Sequence, residues 1–200
     1  MKVIVIGGYP GSGKSTIMRG VIKELEAQGY KFKDNRKGII AYMEAKEITI
    51  LGTYALDEKF PGTDRLPLNA QPDACRFITE LEEAEQQQHG KDKVVIIEGD
   101  RLFNDKMLTF LGDKVVLCIA FTARHLLEAR REKRSEQNTS WRKGRETKVD
   151  RLAMTYPVHH HLQNNTKEDQ EASIIELVQE INGVWEQKVS ARSKIKDFWK

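Results

Sequence analysis

The sequence has little of what would mark a secreted protein or one embedded in a membrane. Only two of its 200 residues are cysteines, Cys75 and Cys118, and they stand far apart in no spacing typical of metal ligands. This scarcity excludes a disulfide framework and is typical of a reducing compartment. No apolar run approaches the roughly 20 residues that a membrane helix needs. The chain opens directly on an apolar run without a signal peptide, so we expect a cytoplasmic protein.

A net charge of +3 is also small, but the charge is unevenly distributed. Residues 122–151 carry ten lysines and arginines against five acidic residues, so this segment is +5 and the rest of the chain is −2. A local excess of positive charge predicts an anionic partner for the segment.

Apolar runs alternate with amphipathic stretches along the chain. The stretches at 2–6, 93–100 and 114–121 each contain a continuous apolar run, as in strands buried on both faces of a parallel sheet. Two further strands are predicted at about 38–43 and 48–54, as a hairpin, and a last strand within 157–165. The predicted helices are 15–28, 72–88, 105–111, 122–137, about 146–156 and 166–185, with 138–146 as a break. This alternation predicts an α/β fold with helices on both faces of the sheet.

Residues 8–15 read Gly-Tyr-Pro-Gly-Ser-Gly-Lys-Ser and match G-x-x-x-x-G-K-[ST], between a predicted strand and a predicted helix. The glycines let backbone N–H groups point at phosphate oxygens, and the helix presents its positive end to the same anion. We expect Lys14 to reach the β- and γ-phosphates of ATP and the Ser15 hydroxyl to bind Mg²⁺. The predicted nucleotide-binding residues are Gly8, Gly11, Ser12, Gly13, Lys14, Ser15, Thr16 and, from the basic segment, Arg124.

Three acidic residues are candidates for the chemistry. Glu98 and Asp100 follow a buried strand, where a carboxylate can hold Mg²⁺ or accept a proton from an attacking hydroxyl. Glu98 is therefore predicted as a metal ligand together with Ser15. Asp64 lies in a proline-rich loop and could also act as the base, while its neighbour Arg65 could hold an anionic group of the substrate. The sequence leaves open which of the three acids is the base, and a turn aspartate often only bonds its own backbone.

The basic segment supplies the remaining candidates. Arg124, Arg131 and Arg134 fall on roughly one face of a predicted helix, where cations could stabilise a transferring phosphoryl group, and Arg131 is predicted as catalytic. The alternative is a solvated helix surface on which local acids pair with these arginines. Trp141 could stack on a base or anchor a lid. The predicted substrate-binding residues are Arg65, Arg101, Arg134, Trp141 and Arg142.

The three adjacent histidines, His159, His160 and His161, are not predicted to bind a metal. Successive residues of a strand face opposite sides of the sheet, so the three rings are poorly placed to chelate one ion. A structural or solvent-facing role is the expected one.

The stretches "GGYPGSGKST", "VVIIEGDR" and "ARHLLEARREKR" together resemble the P-loop kinases that act on small hydroxyl or phosphate acceptors. The resemblance implies a P-loop NTPase fold, with a five-stranded parallel sheet and helices on both faces. It also implies that the acidic strand lies next to the P-loop strand. A single domain, 1–200, would carry an arginine-bearing lid at about 122–151 that closes over ATP.

The stretches "GTYALDEKFPGTDRLP" and "NTSWRKGRETK" more narrowly resemble the bacteriophage kinases that phosphorylate 5-hydroxymethyluracil in DNA during thymine hypermodification. This resemblance implies an acceptor hydroxyl within a polymer, DNA contacts for the +5 segment, and a location in the host cytoplasm. A free nucleoside, nucleotide or metabolite stays open as the acceptor, as does an ATPase without an acceptor. A guanine-reading Asn-Lys-x-Asp motif is absent, since residues 165–169 do not match it.

Overall fold

The computed structural model describes residues 1–54, 61–87, 92–132 and 138–183. The strands form one sheet, in the order β2-β3-β4-β5-β1-β6-β7. They are β1 (Lys2–Gly8), β2 (Lys33–Lys37), β3 (Ile40–Ala45), β4 (Ile48–Leu51), β5 (Val94–Glu98), β6 (Val115–Phe121) and β7 (His160–Gln163). The helices are α1 (Lys14–Ala27), α2 (Gln71–Gln87), α3 (Asp105–Leu111), α4 (Arg124–Glu132), α5 (Thr139–Thr155) and α6 (Lys167–Ile181).

The expected count of five strands is wrong, because the sheet has seven. Strands β4, β5, β1, β6 and β7 run parallel, and β2 and β3 extend the β4 edge in antiparallel pairs. The hairpin of β3 and β4 is confirmed. Strand β2 has no apolar run to reveal it, because its sequence is Lys-Asp-Asn-Arg-Lys and most of it is exposed. Charged residues are typical of an edge strand, since they oppose pairing with a second chain.

The central strand β1 contributes to the core on both faces of the sheet. Val3 and Val5 pack into a cluster with residues of α2, α3 and α5, whereas Ile4 and Ile6 pack into another with residues of α1 and α6. All four side chains are fully buried, and each contributes about 1.5–3 kcal/mol to stability. Alternating side chains on a strand covered on both faces explain why this run is continuously apolar.

Helix α5 begins earlier than predicted. Residues 139–155 are helical, with the Asn138 side chain accepting a hydrogen bond from the Ser140 amide as the N-cap, so the break expected over 138–146 is wrong. Only Val149 and Leu152 of this helix are buried, and a helix with so few core residues has little apolar periodicity to reveal it. The basic helix predicted over 122–137 is confirmed through Glu132 as α4, and its last residues lie outside the described ranges.

The parallel topology brings the carboxyl ends of β5, β1, β6 and β7 to one edge of the sheet. The loops that follow these strands therefore meet, as ligand-binding loops do in open α/β sheets. Within the ranges described, no helix has both the length and the apolar character required to cross a membrane.

Candidate active site

The glycine-rich loop leaves β1 and turns directly into α1. Gly11 and Gly13 have φ angles of 89° and 84°, in the left-handed region that favours glycine. Gly13 also packs closely against Asn164, whose Nδ2 atom lies 1.8 Å from where a Cβ atom would stand. A side chain at Gly13 would thus be excluded by backbone conformation and by space.

Side-chain donors hold the carbonyl groups of this loop. The Lys14 ammonium donates to the carbonyls of Gly8 and Tyr9 at 3.1 and 3.3 Å. The Arg131 Nε atom, from α4, donates to the Pro10 carbonyl at 2.9 Å. The first N–H groups of a helix have no partner within the helix, so the start of α1 offers donors on the other side of the loop. The arrangement is that of an anion cradle.

The motif contains two serines, Ser12 in the loop and Ser15 in the first turn of α1. Ser12 is 1% exposed, and its Oγ atom has no hydrogen-bond partner among the residues that the structure describes. A buried hydroxyl without a partner is unfavourable, and a phosphate oxygen would satisfy it. Ser15 donates to the Glu98 carboxylate at 3.3 Å, and Thr16 follows it on the exposed side of α1. The loop therefore fits a polyphosphate.

Glu98 ends β5, in register with Ile6 of β1, which confirms that the acidic strand lies beside the loop strand. Its side chain is 1% exposed and accepts a hydrogen bond from the Tyr54 hydroxyl at 2.7 Å. Burial raises the pKa of Glu98 to about 7, and Lys14 and the Tyr54 hydrogen bond only partly oppose this rise. A buried carboxylate beside the Ser15 hydroxyl is a pair of hard oxygen donors, which fits Mg²⁺.

No cluster of three or more histidine, cysteine, aspartate or glutamate residues suited to a metal occurs in the described ranges. A magnesium ion here would thus be held by Ser15 and Glu98 together with phosphate oxygens and water, as is usual for Mg²⁺ at nucleotides.

Asp64 lies in a short 3₁₀ turn, Thr63–Arg65, and reaches the end of β5. Its Oδ1 atom accepts from the amides of Asp100 and Arg101 at 2.8 and 3.3 Å. The three predicted acids are therefore brought together, and the charge of Asp64 contributes to the raised pKa of Glu98. Both amides bond Oδ1, and the other carboxylate oxygen, Oδ2, lies outside this pair of hydrogen bonds.

Asp100 is held by cations of α5. It pairs with Arg145 at 2.9 Å and with Lys148 at 2.5 Å, two residues that the sequence analysis did not single out. Their spacing of three on a helix was the available signal, since it places them on one face. Burial lowers the pKa of Lys148, and its hydrogen bond to Asp100 opposes this effect. Each carboxylate oxygen of Asp100 is engaged by a cation, so Asp64 is the better-placed candidate for the base.

The arginines of α4 occupy different environments. Arg131 lies against the loop and pairs with Glu146 of α5 at 2.6 Å. Arg124 is largely exposed and pairs with Glu128 one turn away, and its charge opposes the raised pKa of Tyr9 in the loop. Arg134 falls in 133–137, outside the described residues.

The predicted substrate-binding residues are divided between α5 and the ends of the strands. Trp141 is 41% exposed, and the Arg145 guanidinium lies 5.3 Å from its ring centre. The Nε atoms of Arg142 and Arg101 are buried with no hydrogen-bond partner in the described part of the chain. Arg101 lies beside Asp64, and the exposed Arg65 follows Asp64 in the same turn.

Several residues around the loop were missed from the sequence. Tyr54 bonds Glu98, and Thr122 and Asn164 both donate to the Ser12 carbonyl. The hydroxyl of Tyr9 donates to Asp150, and its pKa is raised to about 12, first by burial and then by that carboxylate. None of these contacts has a sequence signal, because each joins segments remote along the chain.

Distant structural similarity is found to several kinases. The shikimate kinase from Bacteroides thetaiotaomicron is 12% identical with a TM-score of 0.42, over 91% of this chain and 98% of that chain. A gluconokinase from Sinorhizobium meliloti (14%, TM-score 0.40) is matched over 90% of this chain and 95% of its own. The deoxyadenosine kinase from M. mycoides with bound dATP (13%, TM-score 0.38) is matched over 90% and 99%.

No protein-family model and no curated protein matches the chain. Structural similarity at TM-scores below 0.5 is too distant to indicate a function. The strand order, the glycine-rich loop and the acids beside it are therefore what support a function.

Proposed function

We propose that this protein is a kinase that transfers the γ-phosphoryl group of ATP to an acceptor hydroxyl with the help of Mg²⁺. The observation that carries the proposal is the contact between Ser15 and the buried Glu98 carboxylate, beside a glycine-rich loop whose Gly8 carbonyl accepts from Lys14. Loop amides, a lysine and a metal ligand at adjacent strand ends are the parts that phosphoryl transfer requires.

Each residue of the loop has a role in the proposal. When a nucleotide binds, the Lys14 ammonium would give up its hydrogen bonds to the Gly8 and Tyr9 carbonyls and donate to phosphate oxygens instead. Phosphate oxygens are better acceptors because they are charged. Ser15 and Glu98 would hold Mg²⁺, which neutralises charge on the phosphoryl group when bound. Ser12 donates its otherwise unpaired hydroxyl to the same anion.

Asp64 is the general base in this proposal. Glu98 is committed to the metal, and Asp100 is neutralised by Arg145 and Lys148. Asp64 is exposed to an incoming hydroxyl, and two amides fix its Oδ1 atom while Oδ2 can accept the proton. A positioned carboxylate contributes about 10²–10⁴-fold as a general base.

Helices α4 and α5 are proposed to form the lid of a single kinase domain. Arg131 already lies against the loop, where a small movement would direct it to a phosphoryl group. Arg124 and Arg134 would bind phosphate when the lid closes. The lid would screen the reacting groups from water.

The acceptor is proposed to carry phosphate, with 5-hydroxymethyluracil in DNA as the favoured case. The buried, unpartnered Nε atoms of Arg101 and Arg142 support an anionic acceptor, because such donors are unfavourable until a ligand satisfies them. Arg65 and Trp141 would contribute charge and stacking on a base. The basic segment 122–151 would follow the DNA backbone in a cytoplasmic, virus-encoded enzyme.

Transfer of label from [γ-³²P]ATP tests the acceptor directly. The panel comprises a single-stranded oligonucleotide containing 5-hydroxymethyluracil, the same oligonucleotide with thymine, and the free nucleoside and its monophosphate. We expect label in the hydroxymethylated oligonucleotide and none in its thymine counterpart. Label in the monomers alone would move the assignment to a nucleoside or nucleotide kinase, and rapid phosphate release unaffected by any acceptor would indicate an ATPase.

The Asp64→Asn variant tests the base. Asparagine keeps an oxygen for the two amides but cannot take a proton, so transfer should fall about 10²-fold or more while ATP affinity is retained. Asp34→Asn on the exposed edge strand β2 is the matched control. Transfer by Asp64→Asn at the rate of this control would remove Asp64 from the mechanism.

A further inference from the structure

The carbonyl of Ser12 receives two side-chain hydrogen bonds from behind the loop. Thr122, just after β6, donates its hydroxyl at 2.9 Å, and Asn164, just after β7, donates its amide at 2.9 Å. Both side chains are buried, at 5% and 4% exposure. Two buried donors, each just after a different strand, therefore fix the direction of this one carbonyl.

The geometry of the peptide bond gives these contacts a consequence. In a trans peptide the carbonyl and the following N–H point in opposite directions across a rigid plane. Holding the Ser12 carbonyl toward Thr122 and Asn164 therefore turns the Gly13 N–H toward the mouth of the loop. Arg131 has the same relation to the Pro10 carbonyl, and so to the Gly11 N–H.

Arg130 determines which way the Thr122 hydroxyl points. A hydroxyl can donate or accept, but a guanidinium can only donate. The Arg130 Nη1 atom donates to Thr122 Oγ1 at 3.2 Å, so the hydroxyl proton is left for another acceptor. The Ser12 carbonyl at 2.9 Å is nearer than the Asn164 carbonyl at 3.4 Å, and the latter already accepts from Arg130 Nη2 at 2.8 Å.

We propose that Thr122, Asn164 and Arg130 form a carbonyl clamp that orients the Gly13 amide toward a bound polyphosphate. They are positioning residues, since they act on the ligand through the Ser12–Gly13 peptide. The role of Arg130 thus differs from that of its neighbour Arg131, which contacts the loop directly. The inference rests on the proposed function only in taking a polyphosphate as the ligand of the loop.

The clamp should affect binding more than chemistry. Loop amides contact phosphate groups in the ground state and the transition state alike, and loss of such uniform binding raises KM without lowering kcat. The two donors also share one acceptor, so each compensates only in part for loss of the other. The double variant should therefore lose more affinity than the two single variants together.

Calorimetric titration with Mg²⁺–ATP and with inorganic tripolyphosphate tests the clamp without a known acceptor. Thr122→Val should weaken binding of both about 3- to 10-fold, as expected for one hydrogen bond. Thr122→Ser, which restores the hydroxyl, should bind like the natural protein. Thr122→Val combined with Asn164→Ala should weaken binding about 30-fold or more. Thr79→Val on α2, whose hydroxyl also donates to a carbonyl, and Asn182→Ala are matched controls.

The outcomes separate this inference from the proposed function. Binding by folded Thr122→Val within about twofold of Thr79→Val would overturn the clamp, as would failure of Thr122→Ser to restore affinity. If the double variant does not fold, the Thr122→Val and Thr122→Ser pair still decides the question. No uptake of ATP by the natural protein would instead refute the proposed function, whereas ATP uptake without transfer to any acceptor would leave the clamp standing.

Discussion

Two buried glutamates of this protein have opposite electrostatics. Glu98 is 1% exposed and Glu180 is 6% exposed. Burial raises the pKa of Glu98 to about 7. Burial acts on Glu180 in the same direction, but hydrogen bonds from His160 and Lys2 outweigh it and lower its pKa.

The difference lies in their partners. Glu180 accepts from Lys2 at 2.8 Å and from the His160 Nε2 atom at 3.0 Å, so its charge is matched inside the protein. Glu98 accepts from the hydroxyls of Ser15 and Tyr54, which donate hydrogen bonds but carry no charge. A buried carboxylate with neutral partners is costly, and such groups are concentrated at functional sites. The Glu180 cluster therefore serves stability, whereas Glu98 serves the proposed site at the opposite ends of the strands.

The largest effect is expected from replacing Lys14, the lysine that follows the glycine-rich loop. Lys14→Ala should reduce phosphoryl transfer by about 10²–10³-fold or more, because it removes the charge that stabilises the transferring group. The melting temperature should remain close to that of Lys106→Ala, an exposed lysine on α3 that serves as the control. Turnover by Lys14→Ala at the control rate would contradict the function assigned to the loop.

The next largest effect is expected in the cluster of His160, Glu176 and Glu180, at the opposite ends of the strands. His160 bonds Glu176 through Nδ1 and Glu180 through Nε2, so both ring nitrogens carry protons and the ring is charged. His160→Ala would leave two carboxylates without their shared cation, which should cost about 3 kcal/mol and lower the melting temperature by about 6–12 °C. His161→Ala, exposed next to it on β7, should change stability little, and equal melting temperatures of the two variants would argue against the cluster.

The pH dependence of stability follows from the same histidine. Burial lowers the pKa of His160, but the hydrogen bonds that its ring donates to Glu176 and Glu180 outweigh this effect and raise the pKa to about 9. A raised histidine pKa adds stability that is fully present below about pH 6.5, the unfolded value, and is lost as the pH rises through 9. Melting temperatures from pH 6 to 10 should therefore fall more steeply for the natural protein than for His160→Ala. Parallel curves would contradict this assignment.

The smallest effect should be a gain of stability at the site. Glu98→Gln removes a buried charge that the Lys14 ammonium only partly offsets, so without magnesium at pH 8 it should raise the melting temperature by about 2–4 °C, or about 1 kcal/mol. Transfer should be lost at the same time. The same change at Glu180 should lower the melting temperature, because it removes the carboxylate that Lys2 and His160 share. Effects of the same sign in both variants would remove the distinction between the two glutamates.

Local patterns predicted much of this architecture. The apolar runs of β1, β5 and β6 were readable because each depends on residues close in sequence. Strand β2 and the first turns of α5 were not, because surface elements bury too few apolar side chains to show a period.

The amino-acid sequence by itself determined the glycine-rich loop, its lysine and the acid at the end of the neighbouring strand. Steric freedom of glycine and burial of apolar runs are local properties, so they can be read along the chain. Only the tertiary structure decided that Asp64 meets the end of β5, that α5 neutralises Asp100, and that Thr122 and Asn164 hold the Ser12 carbonyl. Those contacts join residues as many as 152 positions apart, and their geometry exists only once the strands have been ordered in the sheet.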